Sequence, residues 1–406
     1  MDAKKVEHIF QDTGFIHKSA SEEEYKVARY LKDCCQEMGA EAILEPFTVY
    51  SGEIHRAVLR VDGREIPCTG YIRSGSAEVE APLYYLTDTD KLSLAMCKDK
   101  IVLSDMGIRK WLYKDLIDHG AVGFITYSGN VFLDERELDQ KRIPYSIEET
   151  LNFPGVHIHV KDAIDIIKQN GKMAKIILEQ QEKSEISHNV VLNLPGKIDK
   201  KIVLTAHYDT TPLSPGAYDN MSGTIALLAA AEYFVQNPHR YSLSFVWCGS
   251  EEAGLLGSKA YCEAHEEELA DVELAVNIDM IGCVMGGFKA YCTSEMELAH
   301  YLTYMGREEG YPINAYQDVY SSDATSFSDK GIPSVTFARL GNQPDTARVH
   351  VPQDTFELIK VEHMEADIDI IIKFVEHMAN AVVCPVRREI PEELVEKIDK
   401  YMGRKR

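Results

Sequence analysis

The sequence predicts an α/β protein: a doubly wound, mainly parallel mixed sheet interrupted by an inserted β-rich domain. Three observations carry this expectation. From about residue 184 onward, short apolar runs alternate with helical patterns, the order that a parallel sheet covered on both faces requires. Between residues 51 and 183 the pattern changes to closely spaced strand signals with few helices. The first 50 residues read as helix followed by strand, so the core begins, breaks and resumes. The expected domains are a discontinuous core, residues 1–50 and 184–406, and an insert, residues 51–183.

A short amphipathic helix and a loop occupy residues 1–18. Ser19 or Ser21 can cap the next helix, with Glu22, Glu23 and Glu24 in its first turn, where acids complement the helix dipole. Tyr25, Ala28, Leu31, Cys35 and Met38 continue at helical spacing until Gly39, and residues 42–50 form a strand. In the insert, strands are expected at 57–61, 84–86, 101–103, 122–127, 156–160 and 174–178. Asp62-Gly63 is a hairpin turn, and helices span 111–117 and 161–169. The polar run 179–187 bounds the insert. The core resumes with strands at 190–194, 202–204, 243–248, 274–278 and 335–338. Its helices are expected at 224–236, 255–265, 295–306 and 364–381, followed by a charged tail with a peripheral helix.

Composition narrows the function. Hydrophobic residues make up 45% and charged residues 27% of the 406, ordinary values for a globular protein. The formal charge of −22, from 65 acids against 43 bases, argues against binding nucleic acid or an anionic membrane. No apolar run approaches the ~18 residues of a membrane span. The N-terminus lacks the apolar core of a signal peptide, so a cytoplasmic location is expected. Nine scattered cysteines without a C-x-x-C fit reduced thiols. The oligomeric state is not encoded legibly.

The chemistry gathers where strands end. One run closes on Ala206-His207-Tyr208-Asp209, and Asp219 follows in the loop before a helix. A second closes on Gly249-Ser250-Glu251-Glu252, a third on Asn277-Ile278-Asp279, and His350 lies in Val349-His350-Val351. Functional groups of an open α/β sheet collect beyond the carboxyl ends of its strands. Two histidines and three carboxylates suit two divalent cations, each with a histidine and a terminal carboxylate, sharing a bridging carboxylate. Nitrogen and oxygen donors without cysteine suit zinc, with manganese or cobalt as competitors. A carboxylate left over beside a ligand is what a general base requires.

Five segments, A-H-Y-D-T, G-A-Y-D-N-M-S-G, S-E-E-A-G-L-L-G-S, N-I-D-M-I-G and V-H-V-P-Q-D-T, span residues 205–355. In these the chain resembles the co-catalytic zinc aminopeptidases of clan MH, the aminopeptidase Y-like group. The insert resembles a protease-associated (PA) domain through Ile101-Val102-Leu103 and the later Gly120-Ala121-Val122-Gly123-Phe124-Ile125. The resemblance implies a zinc peptidase core and a metal-dependent exopeptidase, with peptides bearing a free N-terminus as substrates. It implies two Zn2+, one held by His207 and Asp279, the other by Glu252 and His350, with Asp219 bridging. Glu251 is then the general base acting on a metal-bound hydroxide, and Asp209 orients His207. A dipeptidase or carboxypeptidase with the same centre, a glutaminyl cyclase and a receptor-like member without activity are the competing readings. The complete ligand set counts against the last two.

One position departs from the pattern. Many members of the resembled group place a tyrosine before the last histidine to stabilise the oxyanion; here it is Val349. A narrower or lower activity is expected, with Tyr320, Arg339 and Arg348 as candidate replacement donors. Asp354 reads as a helix cap, Asp323 as either a turn former or a pocket residue, and His157 and His159 as structural.

Overall fold

The computed structural model describes residues 3–132, 136–147, 152–343 and 347–406. The chain divides into two compact units, residues 1–49 with 186–405 and residues 50–185 with 406. The first opens with α1 (Ala3–Thr13) and α2 (Glu22–Glu37), after which β1 (Ala42–Val61) begins. Ser21 caps α2, its Oγ accepting from Glu24 N at 3.0 Å.

The second unit contains β2 (Arg64–Ile66), β3 (Cys68–Gly70), β4 (Ala77–Leu86), α3 (Lys91–Ala95), β5 (Ile101–Ser104), α4 (Lys110–Asp118), β6 (Gly123–Ser128), β7 (Gly155–His159) and α5 (Val160–Lys168). Strands β4, β5, β6 and β7 are parallel neighbours in that order, and β3 closes on β7 antiparallel. Asp62-Gly63 turns β1 onto β2, pairing Val61 with Arg64, as the dipeptide predicts. His157 accepts its place by hydrogen bonding: Nδ1 lies 2.8 Å from Thr126 Oγ1 and Nε2 2.7 Å from Ser128 Oγ. Burial pushes its imidazole down to about 4. His159 caps α5 through Lys161 N.

The strand β8 (Met173–Leu194) includes the polar run that the sequence reads as a boundary. Backbone pairing with β1 and β4 does not require apolar side chains, so charge alone does not end a strand. The first unit then continues through β9 (Ile198–His207), α6 (Ser222–Gln236), β10 (Tyr241–Cys248), α7 (Leu256–Ala264), β11 (Val272–Ile278), β12 (Gly287–Thr293), α8 (Met296–Glu308), β13 (Asn314–Gln317), α9 (Ala324–Asp329), β14 (Ser334–Leu340), α10 (Val361–Asn380) and α11 (Glu392–Tyr401). Its strand order is β13-β12-β14-β11-β9-β10-β8. The central β10, β9, β11 and β14 run parallel, while β12 meets β14 and β8 meets β10 antiparallel. This is the mainly parallel mixed sheet that the sequence predicts. It missed β12 and β13, because β13 is four residues long with no buried position and β12 follows a Gly-Gly pair.

Alternation along the strands feeds two cores. Ile202, Leu204 and Ala206 of β9 join Phe245 and Trp247 of β10 on the face covered by α6, α2 and α10. Val203, Val246 and Cys248 join Tyr261 and Phe327 on the other. Helix α6 is apolar around almost its whole circumference because it is buried almost throughout.

One buried polar knot ties α10 to the sheet. Asp367 of α10, fully buried, accepts Arg339 Nε at 2.9 Å and Nη2 at 2.7 Å, and the amide of Gly282 at 2.9 Å. Tyr311 OH also donates to Asp367, and Arg339 Nη1 donates to Gly286 O at 2.9 Å. Removing one partner strands the other charge out of water. Asp367→Ala is expected to destabilise the protein by about 3–5 kcal/mol, read by denaturant unfolding; a loss within ~0.5 kcal/mol would show the knot to be dispensable.

Candidate metal centre

The parallel strands β9, β10 and β11 deliver three acidic segments to one edge. His207 is the last residue of β9, Glu251 and Glu252 lie just past the end of β10, and Asp279 follows β11. Asp219 arrives in the turn before α6, where its peptide bond to Asn220 is cis. His350 comes from the segment between β14 and α10.

All five ligands predicted from the sequence meet here. His207 Nε2 lies 3.2 Å from Asp219 Oδ1 and 3.8 Å from Asp279 Oδ1. His350 Nε2 lies 3.1 Å from Asp219 Oδ2 and 3.0 Å from Glu252 Oε1. Two triads therefore form, His207–Asp219–Asp279 and Asp219–Glu252–His350, each with its donor atoms within 4.8 Å of one another. Asp219 belongs to both, one oxygen toward each histidine. Asp279 Oδ1 and Glu252 Oε1 are buried and, among the described residues, receive no well-aligned hydrogen bond, although His350 Nε2 lies 3.0 Å from the latter. A buried carboxylate oxygen without a donor is costly. Cations within the two triads satisfy both, so this donor set fits a pair of divalent metals.

The loops carrying these ligands are held by side chains from elsewhere. Asp209 accepts the amides of Glu251 at 2.7 Å and Glu252 at 3.2 Å. Toward His207 Nδ1 its backbone oxygen, at 3.2 Å, is closer than its carboxylate, at 3.6 Å. Asn220 Nδ2 donates to Ile278 O at 3.0 Å, and its Oδ1 accepts Met280 N at 2.9 Å, tying the Asp219 turn to the segment bearing Asp279. Asp354 does not cap a helix as its sequence context predicts. Fully buried, it accepts the amides of Tyr218 at 2.7 Å and Asp219 at 3.1 Å. Its signal in the sequence was nearness to His350, overridden by the capping reading.

Ser250, Met280 and His350 all have left-handed backbones, with φ of 57°, 60° and 61°. None is glycine, so each costs about 1–2 kcal/mol. They flank or carry the functional side chains, and no local sequence signal marks them.

Electrostatics follow from the crowding. Burial drives the Glu251 carboxyl well above the usual carboxylate range; His207 opposes this, and Glu252, Asp323 and Asp279 reinforce it. Burial likewise lifts Asp279 to about 8 against the pull of His207. Burial tends to raise Asp219, but hydrogen bonds from His207 and His350 bring it below its usual value. Burial tends to lower His350, but Asp219 and Glu252 carry it up to about 11. Asp323 is fully enclosed beside this cluster, lifted by burial to about 6. Of the candidate oxyanion donors, Arg339 is committed to Asp367. Tyr320 stacks on Tyr291 with ring centroids 4.8 Å apart, and its phenol is raised by burial and by the charges of Asp279 and Asp219.

Strand order and the two triads place a candidate metal centre at the carboxyl ends of the parallel strands of an open α/β sheet. Residues 189–375 match peptidase family M28. The chain is 28% identical over 319 residues to aminopeptidase YwaD of Bacillus subtilis, covering 73% of this chain and 68% of that protein. It is 28% identical over 200 residues to leucine aminopeptidase 1 of Leptosphaeria maculans, covering 43% of this chain and 52% of that one. In fold it is similar to the aminopeptidase of Aneurinibacillus sp. strain AM-1, with a TM-score of 0.77, 21% identity and coverage of 95% and 96%. It is also similar to BSAP, a zinc aminopeptidase of Bacillus subtilis, with a TM-score of 0.75, 23% identity and coverage of 96% and 97%. The family match thus falls on the part of the chain that carries both triads, and these likenesses support a peptidase.

The raised groups have a consequence for metal uptake. His350 and Asp279 have values above pH 7 and hold protons there in the metal-free protein, whereas ligation requires neutral histidine and ionised carboxylate. Zinc uptake at pH 7 is therefore expected to release protons and to strengthen as pH rises. Calorimetric titration of metal-free protein in buffers of different ionisation enthalpy reads this directly; a heat independent of the buffer would contradict it.

Proposed function

We propose that the protein is a two-zinc aminopeptidase that removes N-terminal residues from peptides. The observation that carries this reading is Asp219, one carboxylate shared between two complete His–carboxylate triads, beside a carboxylate with no ligand role. His207 and Asp279 would hold one zinc, Glu252 and His350 the other, and Asp219 both. Such a pair would polarise the scissile carbonyl and lower the pKa of a bound water.

The remaining steps belong to the protein. Glu251, held high by burial, takes the proton of the attacking water and delivers it to the leaving amine. Acids around the site hold the substrate ammonium. With valine at 349, Tyr320 donates to the carbonyl oxygen as negative charge develops, its ring fixed by the stack on Tyr291.

Glu251→Gln is expected to keep both zinc ions and abolish turnover of aminoacyl-nitroanilides, while an N-acetylated peptide is not cleaved by the unmodified enzyme. Metal content by elemental analysis, alongside rate, decides between a base and a ligand: loss of zinc with activity makes Glu251 a ligand. Cleavage of the blocked peptide contradicts an aminopeptidase. Tyr320→Phe should lower kcat by about 10²–10³-fold with KM little changed; an unchanged kcat removes Tyr320 from the mechanism.

A further inference from the structure

The segment Gly249–Glu252 carries the proposed base, and every one of its backbone amides is held by a side chain from a distant part of the chain. Asn189 Oδ1 accepts Gly249 N at 3.2 Å, Glu24 Oε1 accepts Ser250 N at 2.9 Å, and Asp209 accepts Glu251 N and Glu252 N. Asn189 and Asp209 lie in strands or strand ends of the sheet. Glu24 comes from the first turn of α2, 226 residues away in sequence. Its carboxyl is 1% exposed.

Glu24 divides its work between two oxygens. Oε2 accepts the amide of Ala20 at 2.8 Å, a helix-start contact. Oε1 accepts both the amide and, at 3.1 Å, the hydroxyl of Ser250. Ser19 Oγ donates to that same hydroxyl at 2.6 Å. Ser250 is fully buried in the left-handed region, the bend that swings the chain from β10 toward the site. Gly249 before it has no room to adjust: a Cβ there would lie 2.5 Å from His188 O, 2.6 Å from Ser187 Oγ and 3.1 Å from Glu24 Oε1. A bend that costs about 1–2 kcal/mol persists only when its surroundings over-determine it.

We propose that Glu24 is a positioning residue for Glu251, fixing the Ser250 bend so that the base is held in register with the two triads. This deepens the aminopeptidase reading and rests on it for the role of Glu251. Glu24 touches neither ligand nor substrate; it acts through the backbone of Ser250. The acid in the first turn of α2, which sequence assigns to the helix dipole, is thereby part of the catalytic frame.

The two oxygens make the test selective. Glu24→Gln keeps a carbonyl oxygen that two donors on Ser250 draw toward them, and it gives up the Ala20 contact. Glu24→Ala gives up both. A positioning role predicts that Glu24→Ala lowers kcat by about 10²-fold, with KM within about twofold and both zinc ions retained, while Glu24→Gln keeps most of kcat. A capping role predicts that the two variants behave alike. Hydrogen exchange of the 249–252 backbone in the metal-free protein gives a readout that needs no activity: faster in Glu24→Ala, unchanged in Glu24→Gln. Should Glu24→Ala not fold, Ser250→Ala, which removes the hydroxyl shared with Glu24 and Ser19, is expected to lower kcat about tenfold. Equal effects of the two Glu24 substitutions, exchange unchanged in Glu24→Ala, or a kcat loss that tracks zinc loss overturns the positioning role. An unmodified protein without chelator-sensitive peptidase activity sinks the aminopeptidase reading instead, and the exchange measurement still decides Glu24.

Discussion

Too many carboxylates for the available cations meet at one edge of the sheet, and most of the structure around that edge answers this constraint. Taking an ion out of water costs several kcal/mol unless charge and hydrogen bonds replace the water. Asp209, Asp219, Asp279, Asp323 and Asp354 are buried here, with Glu251 and Glu252 partly so; His207 and His350 stand among them, with His17 beside Asp209 and Lys259 near Glu251 and Asp323. Asp209 and Asp354 are satisfied by backbone amides. Asp279, Glu252 and Asp323 keep buried oxygens without a well-aligned donor among the described residues. The acids stabilised by amides serve as scaffold; of those left short, Asp279 and Glu252 belong to the triads and Asp323 does not.

Two kinds of support convert this crowding into a defined geometry. Side chains reach across sequence to hold the loops, Glu24 to Ser250, Asn220 to Ile278 and Met280, and Asp354 to Tyr218 and Asp219. Left-handed residues at 250, 280 and 350 turn the chain sharply where each ligand-bearing segment leaves its element. The strain is affordable because the sheet beneath is packed on both faces. Trp247, fully buried, even donates its indole N–H to Thr224 O, whose hydroxyl in turn reaches His207 O.

The Arg339–Asp367 knot illustrates how a polar residue near a site can be bound to architecture rather than chemistry. Arg339, near the end of β14, donates its amide to Met280 O, yet its guanidinium is directed at Asp367, Tyr311 and Gly286. Tyr320 has the opposite character: it is held through its ring face by Tyr291, which leaves its hydroxyl under the influence of Asp279 and Asp219.

Sequence by itself determined the alternating α/β core, the strand ends that carry His207, Glu251, Glu252 and Asp279, and the ligand types. Each of these is written locally: apolar runs stop at polar residues, and the chemistry sits at the stop. It did not mark β13, which has no buried position, β12, which follows a Gly-Gly pair, or the continuity of β8 through a charged run. Nor did it reveal Asp354 and Glu24, since a lone acid near a helix start looks the same whether it caps that helix or crosses the fold to hold another loop. Only the tertiary structure decided which acids are shared, which are clamped and which are left wanting a cation, because those properties arise from distance and desolvation between residues far apart in the chain.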